Sequence, residues 1–351
     1  MAEQLIEEKG KISVYEIIKA KLIEKMKVAL ESGEQFTWAK PWRGAPYPCN
    51  YDAPRQPFKA AINRLLLETG EYLTFWQINK LHEEDPEIRI RKGAKQAYVF
   101  QSFPVFKKDE DGKILTDDNG ELLIDRFCMR YSREFHISDV TGLKSHFVEK
   151  EYIHDKTESM RLADQLIEEY CRKYQIDMQI LYGSGRAYFR QIEYQTGDFA
   201  DGREKIYFGK ISLPDAKQFE HMSEYYSTIF HELAHSTKVA IDRGKLSYAQ
   251  EELVAEVSAS LTCASLNLID EGSLKNNAAY LQSWMKQIEK EEARDIYFAV
   301  ADAQKATDLI LHSSPMIFKK LFPDTGIIDE PSQGDLQENR EYQIGGMNNV
   351  R

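Results

Sequence analysis

Residues 230–237 read FHELAHST, and within them His231, Glu232 and His235 have types and spacing suited to metal chemistry. Two residues four apart on a helix stand about 40° apart around its axis, so both imidazoles project from one face and can grip one ion. Glu232 falls beside the position left open, where its carboxylate can take a proton from water. Zinc suits such a site because it lowers the pKa of bound water to near neutrality and polarises a substrate carbonyl. A catalytic zinc needs a third protein ligand. The segment 251–268, EELVAEVSASLTCASLNL, offers one on a second helix. Leu253, Val257, Leu261, Ala264 and Leu268 mark its buried stripe, and Glu252 and Glu256 share the adjoining face one turn apart. Glu252 fits as the ligand and Glu256 as a carboxylate that holds a histidine N–H, with Glu256 as ligand the alternative. Glu251 points away from the stripe and is the weakest candidate. Tyr248, His221 and His312 are the candidates for stabilising an oxyanion. Zn2+ is the expected cofactor, although manganese or iron also suits a His–His–Glu set.

A second chemistry is hidden by the whole-chain charge of −11. Residues 36–108 carry 12 Lys/Arg against 7 Asp/Glu, a local +5 that leaves −16 for the remainder. Binding an unpaired strand needs cations for phosphates and flat rings on which bases stack. The candidates are Trp38, Lys40, Trp42, Arg43, Arg55 and Lys59, then the basic run Arg91, Lys92 and Lys95. Tyr47, Tyr51, Phe58 and Arg64 interleave with the first group. Phe75 and Trp76 lie on a helical stretch and read as core.

Two helices must hold the metal ligands, expected at 221–241 and 248–268; further helices are expected at 13–31, 59–69, 73–82, 156–174 and 277–311. Strands are expected at 97–106 and 121–137, joined by the acidic loop KKDEDGKILTDDNGE, and at 179–182, 186–193 and 205–212. The fold class is α+β in two domains. Residues 1–150 are expected to form the single-strand-binding domain, 151–322 a mainly helical metal-binding domain with a short sheet, and 323–351 a loosely ordered tail. The four cysteines contain no C-x-x-C pair, which disfavours a disulfide framework or a cysteine zinc site. No stretch has the length of a membrane span, and the opening residues lack a secretory signal's apolar centre, so a cytoplasmic protein without a membrane partner is expected.

HELAHST followed by EELVAE 17 residues after His235 resembles the zincin-like domain of ArdC antirestriction proteins. EYYSTIFHELAH and AVADAQKATDLI are similar to it as well. Upstream, the resemblance runs through Trp38, Pro41 and Trp42, through Pro48 and Asn50, and through PFKAAINRLLL, YLTFWQINKL, IRIRKGAKQAYVF and FHISDVTGL. PFKAAIN lacks the glycine of the family's Y-x-G-I-N element, and the acidic loop 108–121 reads as an insertion. The resemblance implies a protein of mobile DNA that binds single-stranded DNA through its N-terminal domain. It also implies a metallopeptidase-type domain that cuts or engages a protein or peptide. The rival readings are a cytosolic zinc metallopeptidase without nucleic-acid binding, and a scaffold in which zinc only stabilises the fold. A purely structural zinc has no use for the base Glu232.

Overall fold

The computed structural model describes residues 12–32, 47–117, 120–147, 155–194, 206–241, 243, 246–268, 285–286 and 288–322. Trp38, Lys40, Trp42, Arg43 and the tail from 323 lie outside them. The architecture is mixed α and β in two compact units. Pro48–Asn63 and Gly70–His146 form the smaller unit; Arg64–Thr69, the described part of Phe147–Gly326 and α1 (Val14–Ser32) form the larger. α1 groups with the larger unit because its apolar stripe, Ile18, Leu22 and Met26, is buried there. Tyr15 also meets the Tyr297 ring at 5.4 Å, and the Lys19 ammonium donates to the Glu291 carbonyl at 2.6 Å.

In the smaller unit β1 (Pro48–Asn50), β2 (Gly70–Thr74), β4 (Ala97–Phe106) and β5 (Ile124–His136) form a sheet in the order β1-β2-β5-β4. β1 and β2 run parallel and the other pairs antiparallel. β3 (Arg89–Ile90) pairs separately with β6 (Val140–Thr141). The short helix α2 (Ile62–Leu66), whose residues from Arg64 on belong to the larger unit, precedes β2. α3 (Phe75–Glu84) follows β2 directly, started by a reciprocal Thr74–Gln77 capping box. Leu73, Ile78, Ile88, Phe135 and Val140 make the core between them.

In the larger unit α4 (Lys156–Tyr174) leads into a three-stranded sheet of β7 (Ile176–Ile180), β8 (Tyr188–Tyr194) and β9 (Ile206–Leu213), ordered β7-β9-β8. β9 is parallel to β7 and antiparallel to β8, which leaves β8 as an edge. A Cβ on Gly209 would sit 2.5 Å from both Ile176 and Phe189, so glycine lets these flanking side chains close over the central strand. Helices α5 (Met222–Ser236), α6 (Tyr248–Ser265), α7 (Ala293–Leu311) and α8 (Pro315–Leu321) complete the unit. The stripe expected on α5 is buried as a set: Tyr226, Ile229, Phe230, Leu233 and Thr237 are each 3% exposed or less. No helix among the described residues is long and apolar enough to cross a membrane.

Candidate metal centre and polar surface

α5 and α6 lie against one another, and their apolar stripes set their phase. α6 begins where Ser247 Oγ accepts the Gln250 N–H at 3.2 Å and Gln250 Oε1 accepts the Ser247 N–H at 2.9 Å. This capping box fixes the first turn and so the directions of Glu251, Glu252 and Glu256. The three carboxylates meet two imidazoles. Glu252 faces both Nε2 atoms, at 3.6 Å from His231 and 3.6 Å from His235. Glu256 Oε1 lies 3.0 Å from His231 Nδ1, and Glu251 Oε1 lies 3.2 Å from His235 Nδ1. The two Nε2 atoms are 3.1 Å apart.

A carboxylate on each Nδ1 favours the tautomer that carries its proton there and turns the Nε2 lone pair inward. One atom from each of His231, His235 and Glu252 lies within 4.8 Å of the others. Ligands at 2.0–2.2 Å around a tetrahedral ion stand about 3.4 Å apart, close to the 3.1, 3.6 and 3.6 Å found here. The donor set of two neutral imidazoles and one carboxylate therefore fits a divalent ion. Burial opposes charge on His231, but Glu252 and Glu256 outweigh it and push the imidazole up to about 10. The bond from His231 and the charge of His235 hold Glu252 below the usual carboxylate range against its own burial.

Glu232 is 6% exposed, and burial pushes its carboxyl up. Its carboxylate accepts the backbone N–H of Phe189, on the edge strand β8. Tyr248, 80% exposed at the start of α6, has its phenol pushed up by the neighbouring Glu252 carboxylate. Of the other two oxyanion candidates, His221 stands at the N-cap position of α5 without a side-chain capping bond, and His312 stacks on Phe318 with its centroid 4.0 Å away.

Sequence reasoning missed one carboxylate and one cation. Glu251, expected to point away, holds His235, because α6 meets α5 at its first turn, where neighbouring glutamates straddle two histidines. Arg243, 3% exposed, donates through Nη2 to Glu251 Oε1 at 2.9 Å and to the Ala234 carbonyl at 3.3 Å. A lone arginine between two helices carries no sequence signal of that role.

In the smaller unit Arg55, Lys59, Arg91, Lys92 and Lys95 are all exposed. Two corrections concern the aromatics. Phe75 and Trp76 are 55% and 69% exposed rather than core. Ile78 and Leu81 fix the buried side of α3, and Trp76 falls about 170° from it at 100° per residue. Tyr47, in the larger unit, is 5% exposed and packs on Phe147, and Arg64 is half-buried with Asp308 3.6 Å away. Two asparagines in the resembling motifs bind within the unit. Asn63 exchanges both hydrogen bonds with the Phe100 backbone, at 2.7 and 2.8 Å, and Asn50 Oδ1 accepts from Gln77 at 2.8 Å. β5 adds exposed Arg126 and Arg130, the latter lying 5.2 Å over the Phe103 ring.

Residues 203–302 match the family of zincin-like metallopeptidases designated MPTase-PolyVal. The chain is 26% identical to a DNA primase TraC of Escherichia coli across 94% of its own length and 30% of that protein's. A second TraC of that organism is 28% identical across 85% of the chain and 20% of its own length. The chain thus spans less than a third of these relatives. The y4eC protein of Sinorhizobium fredii is 27% identical over 149 residues, 40% of this chain and 42% of that one. The fold resembles that of the antirestriction protein ArdC of plasmid R388, solved with Mn(II), at a TM-score of 0.53 and 21% identity, covering 87% of this chain and 99% of the other.

Proposed function

We propose that this chain is an ArdC-like antirestriction protein that binds single-stranded DNA and carries a zinc metallopeptidase site. His231, His235 and Glu252 are the proposed ligands and Glu232 is the proposed base. The observation that carries the reading is the convergence of both Nε2 atoms and the Glu252 carboxylate, each imidazole anchored from behind by a separate glutamate. A bound divalent ion would polarise a peptide carbonyl and acidify a water. Glu232 would take the proton of that water at its carboxylate and deliver it to the departing amide nitrogen. Its burial suits the task, because it draws the carboxyl toward neutrality. Tyr248 is the proposed oxyanion donor: its exposed hydroxyl stands near Glu252 and is open to the oxygen of an attacked carbonyl.

β8 offers a substrate track. Phe189 turns its N–H outward to Glu232, so by the two-residue period Gln191 presents its N–H and C=O on the same side of β8, which no strand among the described residues pairs. An extended peptide could pair there.

The single-strand reading draws support from the exposed cations of the smaller unit and from Trp76, whose ring has the Lys80 ammonium 5.8 Å from its centroid. Relatives named DNA primases and a fold neighbour named an antirestriction protein point the same way. The test uses the full chain. Anisotropy of a labelled 30-mer is followed as salt rises, in parallel with cleavage of a quenched peptide library by the zinc-loaded protein. Salt-sensitive binding with single-strand preference supports the DNA reading; cleavage without such binding replaces it with a metallopeptidase alone.

A further inference from the structure

We infer that Arg243 is a positioning residue for His235, acting through Glu251. The inference rests on the proposed metal site and names a device that readies it. One guanidinium nitrogen, Nη2, donates both to Glu251 Oε1 at 2.9 Å and to the backbone carbonyl of Ala234 at 3.3 Å. Ala234 directly precedes His235 on α5, and the same Glu251 oxygen lies 3.2 Å from His235 Nδ1. The arginine therefore ties the helix that carries the histidine to the carboxylate that orients its ring. Three fixed points result: the Ala234 carbonyl, the Glu251 oxygen and the His235 nitrogen.

The chemistry calls for a cation at this place. Glu251 and His235 are largely shielded, with 19% and 13% of their side chains exposed. A carboxylate so shielded is costly without a countercharge. Arg243, with 2% of its side chain exposed, supplies that charge on the same Glu251 oxygen that faces the histidine. It also lies at the C-terminal end of α5, where carbonyls left over from the helix ladder favour a cation. His231 is held differently: its Nδ1 meets Glu256 at 3.0 Å, a carboxylate four residues along α6. The two ligands are thus supported separately, and only the His235 side includes the arginine.

The test measures Zn2+ affinity of the metal-free full chain by competition with a chromophoric chelator. It also records the visible spectrum of the Co2+-loaded protein. Glu251→Leu removes the acceptor and Arg243→Met the countercharge; each should weaken Zn2+ binding by about 10- to 100-fold, the usual effect of losing such an outer partner. Arg243→Lys, which keeps the charge, should recover part of the loss. In the Glu251→Leu background, Arg243→Met should cost no further Zn2+ affinity, and both single variants should shift the Co2+ bands. If Arg243→Met fails to fold, Arg243→Lys and Glu251→Leu carry the comparison. Variants that bind Zn2+ as tightly as the wild type overturn the inference and leave the metal site standing. An equal loss from Arg243→Met with and without Glu251 also overturns it, by making the arginine a fold determinant alone. A wild-type chain that takes up neither ion overturns the metal reading itself.

Discussion

In the metal-free protein His231 holds its proton at neutral pH, because Glu252 and Glu256 push its pKa up to about 10 against the opposing effect of burial. An ion needs the bare Nε2, so its entry must expel that proton. The perturbation is pH alone. One proton displaced per ion means that apparent affinity falls about tenfold for each pH unit below 10, or about 2.7 kcal/mol between pH 8 and pH 6. Glu252 adds no second proton in that window, since its carboxyl is held below the usual range. The assay is titration calorimetry with Zn2+ in two buffers of different ionisation enthalpy, which counts protons directly; about one should be released at pH 7. Stability carries the same linkage with a definite sign. A folded-state pKa raised above the ordinary 6.5 contributes stability that is complete below 6.5 and disappears as pH rises through about 10. The melting temperature of the metal-free protein should therefore fall from pH 6.5 toward 10 more steeply than that of the loaded protein, whose histidine has no proton to lose. Release of no proton at pH 7, with Zn2+ affinity flat from pH 6 to 8, would refute the reasoning.

Glu232→Gln should retain Zn2+ and lower peptide cleavage by about 10²–10⁴, checked by metal content beside turnover. Trp76→Ala should weaken 30-mer binding by about 1–3 kcal/mol with an unchanged salt slope, whereas the triple change of Arg91, Lys92 and Lys95 to alanine should flatten the slope by about two. Phe230→Ala empties a fully buried position beside His231 and should cost about 3–5 kcal/mol in denaturant unfolding, with Zn2+ lost only as the fold is lost.

Comparison of residues with elements shows what kind of information a sequence carries. The helix from Lys156 to Tyr174 was legible from its apolar period, and the strand from Ala97 to Phe106 from its aromatic and β-branched content between the basic runs that flank it. β1, β2, β3 and β6 were not. β1, β3 and β6 have two or three residues, too few to display a period, and β2 lies between the helices expected at 59–69 and 73–82, its last two residues counted into the second because it runs straight into α3. The helix expected at 59–69 shrinks to Ile62–Leu66.

The candidate site divides along the same line. His231, Glu232 and His235 share one helix, so their relation is fixed by 1.5 Å rise and 100° per residue before any tertiary contact forms. Glu252 and Glu256 required only that a second helix present the face beside its apolar stripe. Glu251 and Arg243 depend on where α6 crosses α5 and on how the chain between the two helices returns, and neither quantity is periodic. A helical wheel places Glu251 off the ligand face; the crossing brings it to His235 all the same, since an imidazole has two nitrogens and its rear one can be met from outside that face. Trp76 is the converse: its exposure follows from the wheel once the helix start is known, and taking the helix to begin at 73 obscured the Thr74 cap that fixes it. Local geometry thus specifies the donors that face an ion, while the groups that set their protons and hold their rings come from packing.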